Sequence, residues 1–337
     1  MKEEWTEFEK REGLKSQLLE EEARKRGYPV ERLTFDKLIV IIKGKPMMFK
    51  DMNGPFSSIA INEIVDDKHL TRQLLKQTDV SVPDSKYIKI DDVDSFITFA
   101  NTIVYPVVLK PNNLSRGQGV YTHIDSDETL KEKLALLEAL IGDSKAKLLI
   151  EKQFIGFDFR FFIVDGQVLA VTKRARANVT GDGKKTVLEL IHEKNELRKK
   201  DRDLQFFLIP TDPSSLKKLY REGNSLEYVP EAGQQLDIRD ESNIASGGEG
   251  IDFTDTAHEE YKQLAIKAVN AIPGIHYAGV DVIAKDITQK PTKDNYVITE
   301  VEFSPGPVSM FPWKGQPRDM AGPILDFYEK HLNRLDF

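Results

Sequence analysis

Three carboxylates, Asp281, Glu300 and Glu302, stand on two short apolar segments, residues 277–283 and 296–303. On an extended strand, residues two apart share a face. Glu300 and Glu302 therefore project together from a segment whose Ile298, Val301 and Phe303 call for a core. Two like charges so placed need a cation. Hard oxygen ligands suit Mg2+, which takes one or two carboxylates together with substrate phosphates, so the pattern reads as a metal-nucleotide site. The alternative is an edge strand whose acids face water.

A second constellation lies upstream. Residues 105–111 form a short apolar strand that delivers Lys110, and a loop containing Ser115, Gly117 and Gly119 follows. Glycines let backbone N–H groups approach an anion without a Cβ clash, and Lys110 adds a point charge, so the loop reads as a phosphate cradle. It is neither a Walker loop, since no Gly-Lys-Ser/Thr follows, nor a dinucleotide fingerprint, since the third glycine and the following helix are missing. A glycine-bearing hairpin is the alternative.

The third piece, residues 148–166, joins two apolar runs by a short polar crossing at Gly156 and reads as a hinge between strands. With it the order of motifs resembles the ATP-grasp carboxylate-amine ligases, closest to the ATP-grasp half of bifunctional glutathione synthetases and to cyanophycin synthetases. The likeness is carried further by residues 174–183, 193–195, 239–248, 251–255 and 311–315, and covers roughly residues 63–335. It implies an α+β fold in which a lid and a base, each α+β, hold ATP between them. The domains expected are a short N-terminal α/β segment over 1–65, a lid over 66–153 and a base over 154–337.

The resemblance also implies roles. Lys68 and Lys110 would contact ATP phosphates, with residues 115–119 closing over them. Glu151 would accept from the adenine amino group, Lys152 would lie near the ring, the Phe154 backbone would bond its edge, and Asp158 would bind the ribose. For Glu151 and Phe154, a strand end and a core aromatic are the alternatives. Asp281, Glu300 and Glu302 occupy the family's Mg2+ positions. Glu302 is a departure, because the family usually has Asn there, and the extra negative charge could tighten metal binding, favour Mn2+ or disturb the usual coordination. Arg160, Arg174 and Arg239, with Asn243 on the segment that Arg239 leads into, are the candidates for stabilising a phosphoryl or tetrahedral oxyanion, where arginine's fixed fork of donors is suited. Residues 246–248 could add backbone donors. Arg176 falls where the family more often has proline and is equally a solvated residue.

The chemistry implied is activation of an amino acid or peptide carboxylate as an acyl phosphate, then attack by an amine. A kinase of the same fold and a noncatalytic nucleotide-binding module are the alternatives. Composition agrees with an ordinary globular protein: 337 residues, 40% hydrophobic, net charge −7, which gives no general attraction to nucleic acid. The absence of cysteine excludes disulfides, thiolate metal sites and a cysteine nucleophile. The six histidines have no paired metal-ligand spacing. The start of the chain is polar and no run is long enough to span a bilayer, so a cytoplasmic, non-membrane protein is expected, by family habit a homo-oligomer.

Helical spacing predicts an amphipathic helix over 8–27, a hairpin over 38–42 and 46–49, and a helix over 66–77. Residues 82–153 read as strand, helix (93–101), strand, glycine loop, strand, helix (126–140), strand. Residues 197–231, charged and broken by Pro210 and Pro213, read as an irregular insertion near the substrate.

Overall fold

The computed structural model of the chain describes residues 5–112, 119–143 and 145–335. Helices α1 (Glu7–Glu12) and α2 (Leu14–Lys25) stand where one helix was expected over 8–27. Gly13 parts them by close approach: a Cβ there would lie 2.3 Å from the Phe35 carbonyl oxygen. A meander of β1 (Val30–Thr34), β2 (Lys37–Ile42) and β3 (Lys45–Lys50) follows. The predicted hairpin is β2–β3. Its turn residues Lys43 and Gly44 have φ of 49° and 86°, the paired left-handed conformation that matches strand twist in a two-residue loop.

Helices α3 (Ile59–Asp66) and α4 (Lys68–Lys76) meet at Asp67, whose carboxylate accepts from the Leu70 N–H and caps α4. Then β4 (Ser85–Lys89), α5 (Val93–Ile103), β5 (Val107–Pro111), β6 (Tyr121–Ile124), α6 (Asp127–Ile141) and β7 (Lys147–Lys152) follow in the order read from the sequence. Beyond them lie β8 (Phe157–Val164), β9 (Gln167–Ala175), β10 (Asn178–Thr180), α7 (Val187–Lys200), α8 (Lys217–Arg221), β11 (Gln235–Asp237) and β12 (Glu249–Asp252). The chain closes with α9 (Glu259–Asn270), β13 (Tyr277–Ala284), β14 (Tyr296–Glu302) and α10 (Ala321–Lys330).

These elements form two compact units. Unit 1 is drawn from Met1–Ser57, Asp158–Thr256 and Ser304–Phe337, and unit 2 from Ser58–Phe157 and Ala257–Phe303. Residues 257–303 thus group with 58–157, so a boundary at residue 154 does not by itself divide the compact units.

Unit 2 contains an antiparallel sheet in the order β4-β7-β5-β6. Val107, Leu109, Leu148 and Ile150 point to one face and pack with Phe96 and Ala100 of α5 and Leu130, Leu134 and Leu137 of α6. Alternation sends Lys110 and Glu151 to the opposite face, where both remain buried. In the same unit β13 and β14 pair antiparallel, and Asp281 stands directly opposite Glu300. A bulge lies between Asp281 and Val282, and Val282 pairs with Ile298, so Thr299 is the extra residue. Plain alternation would put Ile298 on the acids' face. The bulge reverses it, leaving Ile298 and Val301 both fully buried.

In unit 1, β12, β9 and β8 pair antiparallel and place Arg174 beside both Asp158 and Gly250. Residues 197–231 are not a loose insertion: Ile209, Leu216 and Leu219 share a core with Val187 and Ile191 of α7 and with Leu236 and Ile238, and Leu226 and Tyr228 pack against it. Apolar residues spaced through a charged segment supplied that core without helical or strand periodicity.

Candidate active site

Unit 2 gathers three cations around two acids. Lys110 projects from β5, and its Nζ lies 2.9 Å from Glu151 Oε1; the two residues are diagonal neighbours, since Val108 is the register partner of Glu151. From α4, Arg72 sets Nη2 2.5 Å from Glu151 Oε2 and donates to the Thr299 carbonyl at 3.3 Å. One helical turn earlier, Lys68 lies 3.3 Å from Glu300 Oε1 and donates to the Asn112 carbonyl at 3.4 Å. Asn112, at the end of β5, accepts from the His69 N–H at 3.0 Å, so the strand that carries Lys110 is tied to the first turn of α4.

Glu151 and Lys110 are both buried. Burial pushes the Glu151 carboxyl upward, but Arg72 and Lys110 outweigh it and hold it below its ordinary value. Burial, reinforced by Arg72, holds the Lys110 ammonium below the usual lysine range despite Glu151. The sequence expectation gave Glu151 an adenine amino group as partner. Its oxygens instead face two protein cations, because the alternation that buries Lys110 brings Glu151 to the same face. Lys152 likewise donates to the carbonyls of Val104 and Tyr105, at 2.6 and 3.1 Å. Phe154 is half-buried with Lys285 Nζ 5.8 Å from its ring centre. Gly156 runs so close to β13 that a Cβ would stand 2.8 Å from the Ala284 carbonyl oxygen.

Asp281, Glu300 and Glu302 lie on one face by register, because Glu302 is the partner of Gly279, two residues from Asp281. Asp281 is buried and Glu300 is about a third exposed. Among the described residues, no three His, Cys, Asp or Glu side chains are gathered closely enough to hold a metal alone. Asp281 and Glu300, register partners on β13 and β14, offer hard oxygen donors of the kind Mg2+ takes together with phosphates. Of the cradle residues, Gly119 has φ of +68°, and Ser115 and Gly117 lie outside the described residues.

Unit 1 holds the other candidates. Arg174 donates Nη2 and Nε to Asp158 Oδ1 at 2.9 and 3.2 Å, and Ser242 donates to Asp158 Oδ2 at 2.5 Å. Arg160, two register steps along β8 from Asp158, is buried. Arg239 has its Nε 3.3 Å from Glu241. Arg176 is held by the Asp240 carbonyl at 2.8 Å and Asp237 at 3.2 Å, a structural setting. Asn243 caps a short 3-10 turn over Ile244–Ser246 by accepting from the Ala245 N–H. The N–H groups of Ser246 and Gly248 donate to the Asn243 carbonyl and that of Gly247 to Ile244, so these donors close the turn and do not point outward as expected for an anion.

The sequence model of the phosphoribosylglycinamide synthetase ATP-grasp (A) domain matches residues 66–184. The crystal structure of a bifunctional glutathione synthetase from Pasteurella multocida superposes with a TM-score of 0.70 at 25% identity, over 94% of this chain and 43% of that one. This chain has the ATP-grasp fold. Cyanophycin synthetase of Nostoc is 33% identical over 321 residues, 93% of this chain and 35% of the relative. The glutathione biosynthesis bifunctional protein of Enterococcus faecalis is 31% identical over 93% of this chain and 40% of its own length. The ATP-grasp chain therefore spans well under half of the curated relatives it matches. No helix among the described residues is long and apolar enough to cross a membrane.

Within this ATP-grasp chain two arginines escaped the sequence reading. Arg72 carried a signal: it lies four residues after Lys68 on a helix, which puts both on one face. Arg198 carried a weaker one, being four residues after Lys194 at the start of the segment read as an irregular insertion.

Proposed function

We propose that this chain supplies the ATP-dependent amide-forming chemistry of a ligase. A carboxylate oxygen of an amino acid or short peptide attacks the γ-phosphorus of ATP, ADP departs, and an acyl phosphate forms. An amine nitrogen then attacks the acyl carbon, phosphate leaves, and the nitrogen loses a proton to solvent or a base. The observation that carries this reading is the set in unit 2: Lys68, Arg72 and Lys110 held against Glu151 and Glu300, with Asp281 the register partner of Glu300. Three cations with two strand-borne acids suit a polyphosphate and its counter-ion, and the ATP-grasp relatives agree with it.

Lys68 and Lys110 would bind phosphate oxygens, with Glu151 and Arg72 holding Lys110 in place and Ser115, Gly117 and Gly119 contributing backbone donors. Asp281, Glu300 and Glu302 would hold Mg2+, which when bound neutralises phosphate charge. Lys152 and Phe154 remain the adenine candidates and Asp158 the ribose candidate. Arg160, Arg174, Arg239 and Asn243 would meet charge that develops on the acyl group, a role that rests on positioning rather than on a covalent enzyme intermediate.

The test is phosphate release from ATP with Mg2+ or Mn2+ across pairs of amino acids and dipeptides, followed by the mass of the product. A product equal to the two substrates less water, with phosphate released only when both are present, is expected. A stable phosphorylated product from one substrate would instead make the chain a kinase. Tight Mg-ATP binding without turnover on any pair would make it a noncatalytic module.

A further inference from the structure

Among the described residues Arg198 is the largest fully buried side chain, and its hydrogen bonds go to carbonyls, not to a carboxylate. Its Nη1 donates to the Phe207 carbonyl at 2.7 Å, and its Nη2 to the carbonyls of Gly247 and Gly248 at 2.8 and 2.9 Å. Its guanidinium carbon stands 5.2 Å from the ring centre of Trp313, with Lys194 Nζ, one helical turn earlier, 5.4 Å from that ring. Lys194 pairs with buried Glu249 and donates to the Asn178 carbonyl at 2.7 Å, while Asn178 Nδ2 donates to Glu249 at 3.1 Å.

Burying a cation is costly, and carbonyl dipoles together with an aromatic face recover only part of its hydration. What the arrangement gains is geometry. Asn195, also on α7, exchanges two hydrogen bonds with Ile209, at 2.9 and 2.8 Å. Gly247, with φ of +86°, packs so tightly on Ile209 that a Cβ would come within 2.6 Å of its Cα. One helix therefore fixes Ile209 with Asn195, and with Arg198 holds the carbonyls of Gly247, which closes against Ile209, and of Gly248. The carbonyl of Asn243 accepts from Gly248, so the place of Asn243 follows from the same clamp.

We propose that Arg198 is a positioning residue for the acyl substrate: it locks the turn over 243–248 and thereby sets Asn243. The inference rests on the ligase reading, and its experiment has an arm that does not. Arg198→Lys keeps the charge, but a single ammonium cannot serve three carbonyls and stack on a ring as the planar fork does. Amide exchange of Ala245, Ser246, Gly247 and Gly248 is expected to quicken at least tenfold while α2 and β2 keep their protection. In the same variant the KM for the carboxylate substrate is expected to rise at least tenfold, with the KM for ATP within twofold. Trp313→Leu removes the aromatic face but spares the carbonyl bonds, and is expected to move both readings the same way by less; it also carries the test if the lysine variant does not fold. Unchanged exchange in both variants overturns the proposal, as does an equal rise in both KM values, which marks a merely structural arginine. If the wild type joins no pair of substrates, the ligase reading fails, and exchange at 245–248 still decides whether Arg198 holds the turn.

Discussion

Glu151 shows how far a single residue's neighbours decide its work. Two buried cations share it, and replacing it by Gln keeps the shape while leaving Arg72 and Lys110 with a neutral partner. Breaking a buried pair by removing one member costs about 3–5 kcal/mol, so Glu151→Gln should lower the unfolding free energy by that order in urea titration at neutral pH. The difference should depend on acid in a fixed direction. The folded Glu151 carboxyl ionises below the unfolded one, so its contribution is fully present above the ordinary glutamate range and lost as pH falls through the folded value. The stabilities of wild type and Glu151→Gln should therefore begin to draw together as pH falls below the ordinary glutamate value of about 4.3, and meet only once the folded carboxyl is protonated. Lys110→Ala leaves Glu151 still paired with Arg72, and the protein should stay folded. On the proposed role, its kcat/KM should drop on the order of 100-fold or more, as should that of Glu300→Ala. Full activity in a folded variant of either would remove that residue from the phosphate or metal site. Glu302→Asn restores the residue the family usually has and should keep turnover, with a changed ratio of Mg2+ to Mn2+ activity.

Elements show why some of this was legible in the sequence and some was not. The order of β4 to β7 with α5 and α6 followed from local period and turn residues, and so did the Lys43–Gly44 hairpin. Lys110 and Glu151 were visible as polar ends of apolar strands, but their pairing needed the β5–β7 register, which brings together residues 41 apart in the chain. The break at Gly13, the bulge at Thr299 and the packing of 197–231 were not legible, because each is imposed by a distant segment: the Phe35 carbonyl, the Asp281–Val282 step and the core around α7. The turn over 243–248 was misread for a related reason. Its glycines looked like outward donors, whereas their N–H groups close the turn and their carbonyls bind Arg198. Gly247→Ala tests that element: positive φ and contact with Ile209 both oppose a methyl group. Urea unfolding of the folded variant should show a loss beyond the about 1 kcal/mol that a left-handed residue alone costs. A loss confined to that value would mean the turn is free to move away from Ile209.

At the scale of the whole molecule, the discontinuity of unit 2 matters more than composition. The sequence reading gave 66–153 as the lid; the compact unit that contains it also takes in residues 257–303, which arrive about 100 positions later in the chain. Ile298 donates to the Ser81 carbonyl at 2.8 Å, Tyr296 accepts from the Ser81 N–H at 3.2 Å, Arg72 donates to the Thr299 carbonyl, and Lys68 pairs with Glu300. A fragment limited to residues 58–157 keeps the β4-β7-β5-β6 sheet and the helices packed on its apolar face, whose contacts are internal. It loses every one of these links to β14, and α4 then carries Lys68 without its acid and Arg72 with one acceptor fewer. Native-state amide exchange of the fragment should retain protection in β5 and β7 but lose it in α4, because partly formed units open from the segment with fewest remaining contacts. Full protection of α4 in the fragment would show that β14 does not support the helix that bears Lys68 and Arg72. Loss of protection throughout the sheet would show instead that unit 2 folds only as a whole, with its acids on β13 and β14 as much a part of its stability as of its chemistry.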